Sequence, residues 1–387
     1  MSNRKKTLFF LLALFLSASG LFAANLLIPN MQLITRGYYE DGLFKLGSRG
    51  DIDFLIEGGY KFGGEIKLNL FSPNLLSSAA GNRQQLDDDS TNSEIIDYIN
   101  GANYLTFEGA KLKIRELFGA PLDFSFFIGQ SEAFCSGDLF SEIFGIPYIG
   151  SQFRGYIYFP DSINYNGIHT ASGTGFALET DFGSDILYTS LYGYQDAYLG
   201  LGYYSIDLDF ILNLENFKIE SFIGASIPQA KYGTYRGGLL FYYKPSEVGE
   251  FLTQLGITEW SPGAEEFNIQ LFYLLFEPRI NLGFMSIIPT FFWHPANYLQ
   301  QPTNQIGAMD LNFNFRFGNP EKSPLSGGVE GDFSFGTINT SSLKIIASPY
   351  IGFLYSGIQW DIKANFQLFP FSWSEFVEGF IGISAEF

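Results

Sequence analysis

The sequence predicts an all-β chain closed into an antiparallel transmembrane β-barrel of about 16–18 strands, with short helices in long connections. Three observations carry this reading. Aromatic residues make up 18% of the 387-residue chain, which holds 43 glycines and only 16% charged residues. That composition is rich in strand formers and poor in helix formers. After the first residues no stretch is apolar over the ~18 residues a spanning helix requires. Finally, apolar and polar residues alternate with a period of two, most regularly in the last third of the chain.

The alternation is clearest over residues 309–317, where Met309, Leu311, Phe313, Phe315 and Phe317 share one face. Asp310, Asn312, Asn314 and Arg316 occupy the other. Residues 358–368 repeat the pattern, with Trp360, Ile362 and Phe366 set against Asp361, Lys363 and Asn365. Strand side chains point alternately to the two faces, so each segment is apolar on one side and hydrated on the other. A soluble antiparallel sandwich would also alternate. The Phe, Ile and Leu of the apolar face, and the full charges of the opposite one, favour a sheet between lipid and water. Tyr and Trp near strand ends, at Tyr38, Tyr39, Tyr203, Tyr204, Tyr242, Tyr243, Trp293 and Trp373, suggest interfacial girdles.

Turn signals between such runs give about eighteen candidate strands of roughly ten residues. Marked hairpins pair 51–60 with 63–71, 104–117 with 122–130, 206–212 with 217–226, 269–276 with 280–292, and 343–355 with 358–369. The weakest strands are 33–46 and 163–169; without them the count is about sixteen. Counting directions back from the C-terminus places short turns, such as 277–279, at one end. Three long connections, 72–103, 131–152 and 245–266, then fall at the other. Each contains a helix-like fragment; in the third, Val248, Phe251, Leu252 and Leu255 follow Ser246 with helical spacing.

The N-terminus reads as a secretory leader. Arg4, Lys5 and Lys6 precede the apolar run from Leu8 to Leu16, and small residues lead to a cleavage point near Ala23 or Ala24. The apolar core is shorter than the ~20 residues of a spanning anchor. Residues 1–23 are therefore expected to be removed on export, leaving 24–387 as the barrel. Loss of the three cations takes the formal charge from −18 to −21, which argues against nucleic acid as a partner.

At the other terminus Val377, Gly379, Ile381, Ile383, Ala385 and Phe387 alternate to the last residue. A final amphipathic strand closing on Phe resembles the C-terminal signal of bacterial outer-membrane β-barrels, and no motif singles out one family of this porin-like superfamily. The resemblance implies the bacterial outer membrane as location. It also implies the barrel assembly machinery and outer-membrane lipid as partners, with Phe387 as the assembly signal, and it is compatible with a homo-oligomer.

Candidate functional residues follow from the polar faces. A channel needs an aqueous lumen whose charges set selectivity, and Asp51, Asp53, Glu57, Asp207, Asp209, Arg316, Asp361 and Lys363 are the pore-lining candidates. The connection 131–152 could fold inward as a constriction, presenting Asp138 and Glu142 opposite a wall arginine such as Arg154 or Arg236. Cys135 is the only cysteine and reads as a small loop residue; with His169 and His294 it cannot build a usual structural zinc site. No GxxxxGK[ST] sequence occurs, and no cofactor is expected. An enzyme using either histidine as base is the less economical reading. The leading expectation is a passive porin for small solutes with a weak cation preference, since acidic walls attract cations. Two alternatives stay open. One is a transporter of hydrophobic compounds along residues such as Phe127, Tyr158 and Phe222; the other is a surface adhesion protein using the long loops.

Overall fold

The computed structural model describes residues 24–40, 42–72, 104–136, 167–184, 186–228, 232–246, 248–298, 301–302, 307–318, 324–336, 342–373 and 376–385. The chain runs through β1 (Asn25–Glu40), β2 (Leu43–Gly58), β3 (Phe62–Ser72), β4 (Tyr104–Ile114), β5 (Asp123–Phe134) and β6 (His169–Thr180). Next come β7 (Leu187–Asp196), β8 (Tyr203–Asn213), β9 (Phe217–Pro228), β10 (Thr234–Tyr243), β11 (Gly249–Trp260), β12 (Phe272–Asn281) and β13 (Met285–Trp293). A short ribbon of β14 (Asn297–Tyr298) and β15 (Gln301–Pro302) leads to β16 (Met309–Phe317) and β17 (Leu325–Phe335). The chain ends with β18 (Leu343–Tyr355), β19 (Ile358–Phe369) and β20 (Val377–Ala385). All but the ribbon join one 18-stranded sheet.

Every barrel strand is antiparallel to the next, and β1 pairs with β20 from Met31↔Ala385 to Gly37↔Gly379. The sheet is thereby closed, which is what lipid requires, since an open edge would leave backbone groups unsatisfied. The outer face carries exposed Ile206, Phe210, Ile223, Phe276, Phe313, Ile362 and Ile381. Between them on the same strands, Asp207, Asp209, Phe222, Glu277, Asn312 and Lys363 are buried inside. Successive connections alternate between the two ends. The turns 59–61, 214–216, 282–284 and 356–357 lie at one end, and the strand ends at Ser72, Phe134, Trp260 and Trp293 at the other.

Three sequence expectations change. Residues 245–266 are no single connection, because 249–260 form β11, in ladder with β10 and β12. The helical spacing arose because β11 is apolar on both faces: Leu252 points inward while Phe251 and Leu255 point outward. Residues 277–279 are mid-strand in β12, with Glu277 and Arg279 buried inside. The actual turn closes at Gly283, whose φ of +82° favours glycine, with Leu282 N donating to Met285 O over 2.7 Å. The weak strand 33–46 is the tip of the β1–β2 hairpin, which turns at Gly42. The leader, the 137–152 part of the second long connection, and the helix-like fragments before it fall outside the described residues.

Candidate functional site: the barrel lumen

The inner wall divides into two sectors of different character. In β16–β20 and β1–β4 it is largely polar; the charged side chains of β1–β3 are mostly half-buried, whereas Asp310, Asn312, Asn314, Glu330, Asp332 and Asn365 of β16–β19 are buried. Asp51 and Asp53, two residues apart on β2, point to the same side, and Asn69 of β3 donates to both, over 2.8 Å to Asp53 Oδ1. Glu108 is the extra residue where the β3–β4 ladder skips, and its charge is felt together with those of Asp51 and Asp53. Glu57 stands exposed nearer the short-turn end. Lower on this wall Glu65 lies 3.5 Å from Lys67 and 3.5 Å from Lys113. Arg36 of β1 pairs with Glu378 of β20 at 2.5 Å and covers the Tyr38 ring at 4.7 Å. Ion pairs this exposed contribute about 0–1 kcal/mol each, so their weight lies in the potential they set. Arg316 and Asp361 belong to the same half-buried wall, Asp361 accepting from Gln359 at 2.9 Å. Lys363 pairs with Glu330 and is buried, like most inward polar side chains of β16–β19.

The sector from β5 to β13 is packed like the core of a soluble protein. Phe127, Phe134, Tyr192, Tyr194, Phe222, Leu240, Tyr273 and Phe292 form one inward cluster, each at most 4% exposed. Phe134 stacks on Phe222 at 5.1 Å and on His169 at 5.9 Å. Asp207 and Asp209 do face inward, as alternation requires, but they are 0% and 3% exposed. Instead of lining water, Asp207 receives Arg236 through both oxygens, at 2.7 and 2.9 Å, and the Tyr194 hydroxyl at 2.7 Å. Arg236 also donates to Ser226 at 2.7 Å, and His169 Nε2 lies 3.1 Å from the Tyr194 hydroxyl. Gly224 makes the arrangement possible. It faces Asp207 across one ladder and Arg236 across the next, and a Cβ there would lie 1.8 Å from Asp207 Oδ1. A second buried pair joins Arg279 to Glu277 at 2.8 Å, with Thr290 donating to Glu277 at 2.9 Å.

The ends of the β5–β6 connection turn into this packed sector. Cys135 N donates to Glu220 Oε1 of β9 at 2.5 Å, and Cys135 O accepts from Gln254 of β11 at 2.7 Å. Gln254 is held in turn by the Tyr273 hydroxyl at 3.2 Å. Ile168, at the other end, is fully buried on a seat that Gly238 and Gly256 leave bare. Added Cβ atoms there would meet its Cδ1 at 2.7 and 3.0 Å. Cys135 is a residue of the connection after β5, as expected, and is buried there; burial, and then the neighbouring Glu220 carboxylate, push its thiol up. Asp138, Glu142 and Arg154, considered for a constriction, lie outside the described residues, as does Phe387. Arg236, considered as their counterpart, is committed to Asp207.

Both histidines are buried in wall contacts, His169 by Tyr194 and His294 against Asp310. Among the described residues no group of three or more His, Cys, Asp and Glu side chains could hold a metal ion. Sequence reasoning passed over Glu220, Gln254, Glu277, Arg279 and Glu108. Glu220 sits at an inward position of the regularly alternating β9, so parity would have placed it inside; Gln254, Glu277 and Arg279 stand on β11 and β12, where parity is obscured, and that any of the four pair needs the register between strands. Glu108 was hidden by its bulge.

Outside, aromatic rings gather at the two ends of the strands. Tyr235, Trp260, Phe267 and Phe272 form a chain of contacts of 5.2–6.3 Å at the long-connection end. Phe217, Tyr243 and Phe251 do so at the opposite end, at 4.5 and 5.7 Å. Two such bands around an apolar belt mark the headgroup levels of a membrane.

No family model and no curated protein sequence matches the chain. Solved structures do. OccK5 (OpdH) of Pseudomonas aeruginosa is similar at a TM-score of 0.51 and 9% identity, over 94% of this chain and 98% of that one. OpdQ of the same organism gives 0.51 and 9%, over 95% and 97%. OccAB2 of Acinetobacter baumannii gives 0.50 and 12%, over 94% and 98%. At these identities the likeness speaks to architecture alone, that of a closed antiparallel β-barrel.

Proposed function

We propose that the protein is an outer-membrane channel for passive diffusion of small solutes, weakly preferring cations, with its water path along the β16–β20 and β1–β4 wall. The observation that carries this reading is the contrast between the two sectors. Sixteen to eighteen strands enclose more space than inward side chains alone fill. Here one sector is filled by aromatic packing, and in the other the β1–β3 wall keeps half-buried charges. On that second wall Asp51, Asp53 and Glu108 concentrate negative charge at mid-height, and negative potential raises the local concentration of cations. These residues, rather than Asp207 and Asp209, are the ones we assign to selectivity. The hydrophobic-transport reading loses two of its lining residues, because Phe127 and Phe222 are 0% and 1% exposed within the packed sector.

The test is planar-bilayer recording on refolded protein under a salt gradient. Wild-type protein should conduct with a reversal potential on the cation side. Asp51→Asn with Asp53→Asn should move it toward anions, most at low ionic strength where screening is weakest. Absence of any current would end the channel reading. Current with unchanged selectivity in the double variant would end the assignment of the β2 carboxylates.

A further inference from the structure

We propose that the short turns of the barrel are set into the adjoining lipid leaflet, with Phe118 and Phe182 at their tips as membrane anchors. The inference concerns how the barrel is seated in the bilayer and stands apart from whether the lumen conducts.

Two turns carry a bulky side chain where the backbone least tolerates one. The β4–β5 connection 115–122 and the β6–β7 connection 181–186 follow each other along the short-turn end. Phe118 sits at φ +55° in the first and Phe182 at +51° in the second, and the glycines after them lie at +78° and +73°. The left-handed region suits Gly, Asn or Asp and strains a bulky residue. Both rings nevertheless face away from the protein, Phe118 being 97% exposed and Phe182 61%. An outlier of this kind, kept in place by its surroundings, is a pointer to function.

The surroundings do keep it in place. Gly119 N donates to Glu116 O at 2.9 Å, and Leu117 N to Leu122 O at 2.7 Å. In the other turn Gly183 N donates to Asp181 Oδ1 at 2.8 Å, and Ser184 N to Asp181 O at 2.9 Å. Thr180 ties the two turns together, its hydroxyl donating to Pro121 O at 2.5 Å and accepting from Phe182 N at 3.1 Å. Arg115 ties in the β2–β3 turn by donating to Gly59 O at 3.2 Å and to Tyr60 O. The rings are thus presented on a braced rim.

The occupant follows from where the apolar rim runs. Next to the tips, Phe62 of β3 and Leu112 of β4 are exposed on the outer face, opposite in parity to the inward Glu65 and Lys111. The rim therefore continues the lipid-facing surface and the aromatic band of Phe217, Tyr243 and Phe251 at this end. It also recurs around the perimeter, at Tyr60, at Phe284 of the β12–β13 turn and at Tyr355 before the β18–β19 turn, all exposed. A docked protein covers one arc of a barrel, whereas a leaflet surrounds it. The charges of the first three turns nearly cancel, Lys61 and Arg115 against Glu116, Asp181 and Asp185, which suits zwitterionic headgroups. Seating the rings in the interface removes apolar surface from water and offsets the strain of the left-handed backbone.

A label on the tips tests this. Cys135→Ala keeps the backbone contacts of residue 135 and removes the sole cysteine. In that background Phe118→Cys, Phe182→Cys and Phe284→Cys would each carry a nitrobenzoxadiazole fluorophore and be refolded as full chains into phosphatidylcholine vesicles, the heat-modifiable form being measured. Two quenchers are compared: iodide on both sides of the vesicle, and phosphatidylcholine bearing a nitroxide on the upper acyl chain. All three labels should be quenched by the nitroxide lipid, and iodide quenching should be several-fold weaker than on the same chain unfolded in urea. Iodide quenching equal to that of the unfolded chain, with none from the nitroxide, puts a tip in water. That result at either Phe118 or Phe182 overturns the proposal, and it is the one a soluble partner of the turns would give. Shielding that fades as the protein is diluted in lipid assigns the rim to a second copy of the chain and overturns it equally.

Discussion

Substituting Asp207 by Asn tests the division of the lumen most sharply, because a pore-lining carboxylate and a buried counter-ion respond in opposite ways. The Asn side chain keeps the size and one acceptor but removes the charge that faces Arg236 through two bonds of 2.7 and 2.9 Å. The guanidinium is itself 0% exposed, so it cannot recover its hydration. Removing one partner of a buried pair costs about 3–5 kcal/mol, chiefly because the other charge stays behind. Gly224→Ala should cost a comparable amount by a different route, since its Cβ would sit 1.8 Å from Asp207 Oδ1 and force the pair apart. Removing both charges together, as Asp207→Leu with Arg236→Met, should recover much of the loss. The coupling between contacting residues is about 0.5–3 kcal/mol. The measurement is urea unfolding of the refolded barrel in lipid vesicles, followed by the fluorescence of its four tryptophans. A loss below about 1 kcal/mol for Asp207→Asn, accompanied by a shifted reversal potential, would show that the carboxylate faces the water path and refute the reasoning.

Other consequences can be checked on the same preparation. On β19, Ile362 is 48% exposed on the apolar face while its neighbour Asp361 points inward. Ile362→Arg should therefore cost about 2–4 kcal/mol at the membrane midplane and Asp361→Arg much less; equal losses would mean that the two faces do not divide lipid from lumen. Gly238→Ala should destabilise by about 1–3 kcal/mol, because its Cβ would meet Ile168 Cδ1 at 2.7 Å and Phe222 Cε1 at 2.8 Å. Shortening the neighbour in the same chain, with Ile168→Ala, should recover part of that loss in the unfolding curve. Deleting Phe387, on the strength of the terminal-strand resemblance, should lower the heat-modifiable form in outer-membrane fractions, and normal levels would remove it from assembly.

The barrel was legible in the sequence where a polar inner face alternates cleanly with an apolar outer one. Strands 343–355 and 358–369 have the expected bounds because Lys363 and Asn365 alternate cleanly with Ile362 and Phe366. Legibility failed where the inner face is itself apolar. In β11 both faces carry Leu, and the resulting spacing of Phe251, Leu252 and Leu255 imitates a helix. It failed again at Glu277 and Arg279, where two charges around Pro278 look like a solvated turn although both side chains are buried. The site was legible to the same depth. Parity placed Asp51, Asp53, Asp207 and Asp209 on the inner face, but parity is blind to what stands opposite. Asp207 meets a guanidinium from a strand two places along the sheet, and only the register of β8, β9 and β10 reveals it.

That register explains why charges occur in the packed sector at all. Replacing a buried ion pair by apolar residues of similar volume is often neutral or stabilising, so stability alone does not call for Asp207 and Arg236. The outer faces of β8, β9 and β10 offer little discrimination, because Ile206, Ile223 and Leu239 are interchangeable against lipid. On the inner face, Asp207, Gly224 and Arg236 fit only when three strands align. A slip of one residue moves every side chain to the other face and would carry a charge into lipid at a cost of about 2–4 kcal/mol. The ion pair thus acts as a register key that the aliphatic surface lacks. The double variant Asp207→Leu with Arg236→Met should then separate the two roles, recovering much of the unfolding free energy that Asp207→Asn loses while refolding with a lower yield of heat-modifiable barrel. Wild-type yield from that variant would mean that the outer ladders and turns set the register unaided, leaving the pair no role in strand alignment.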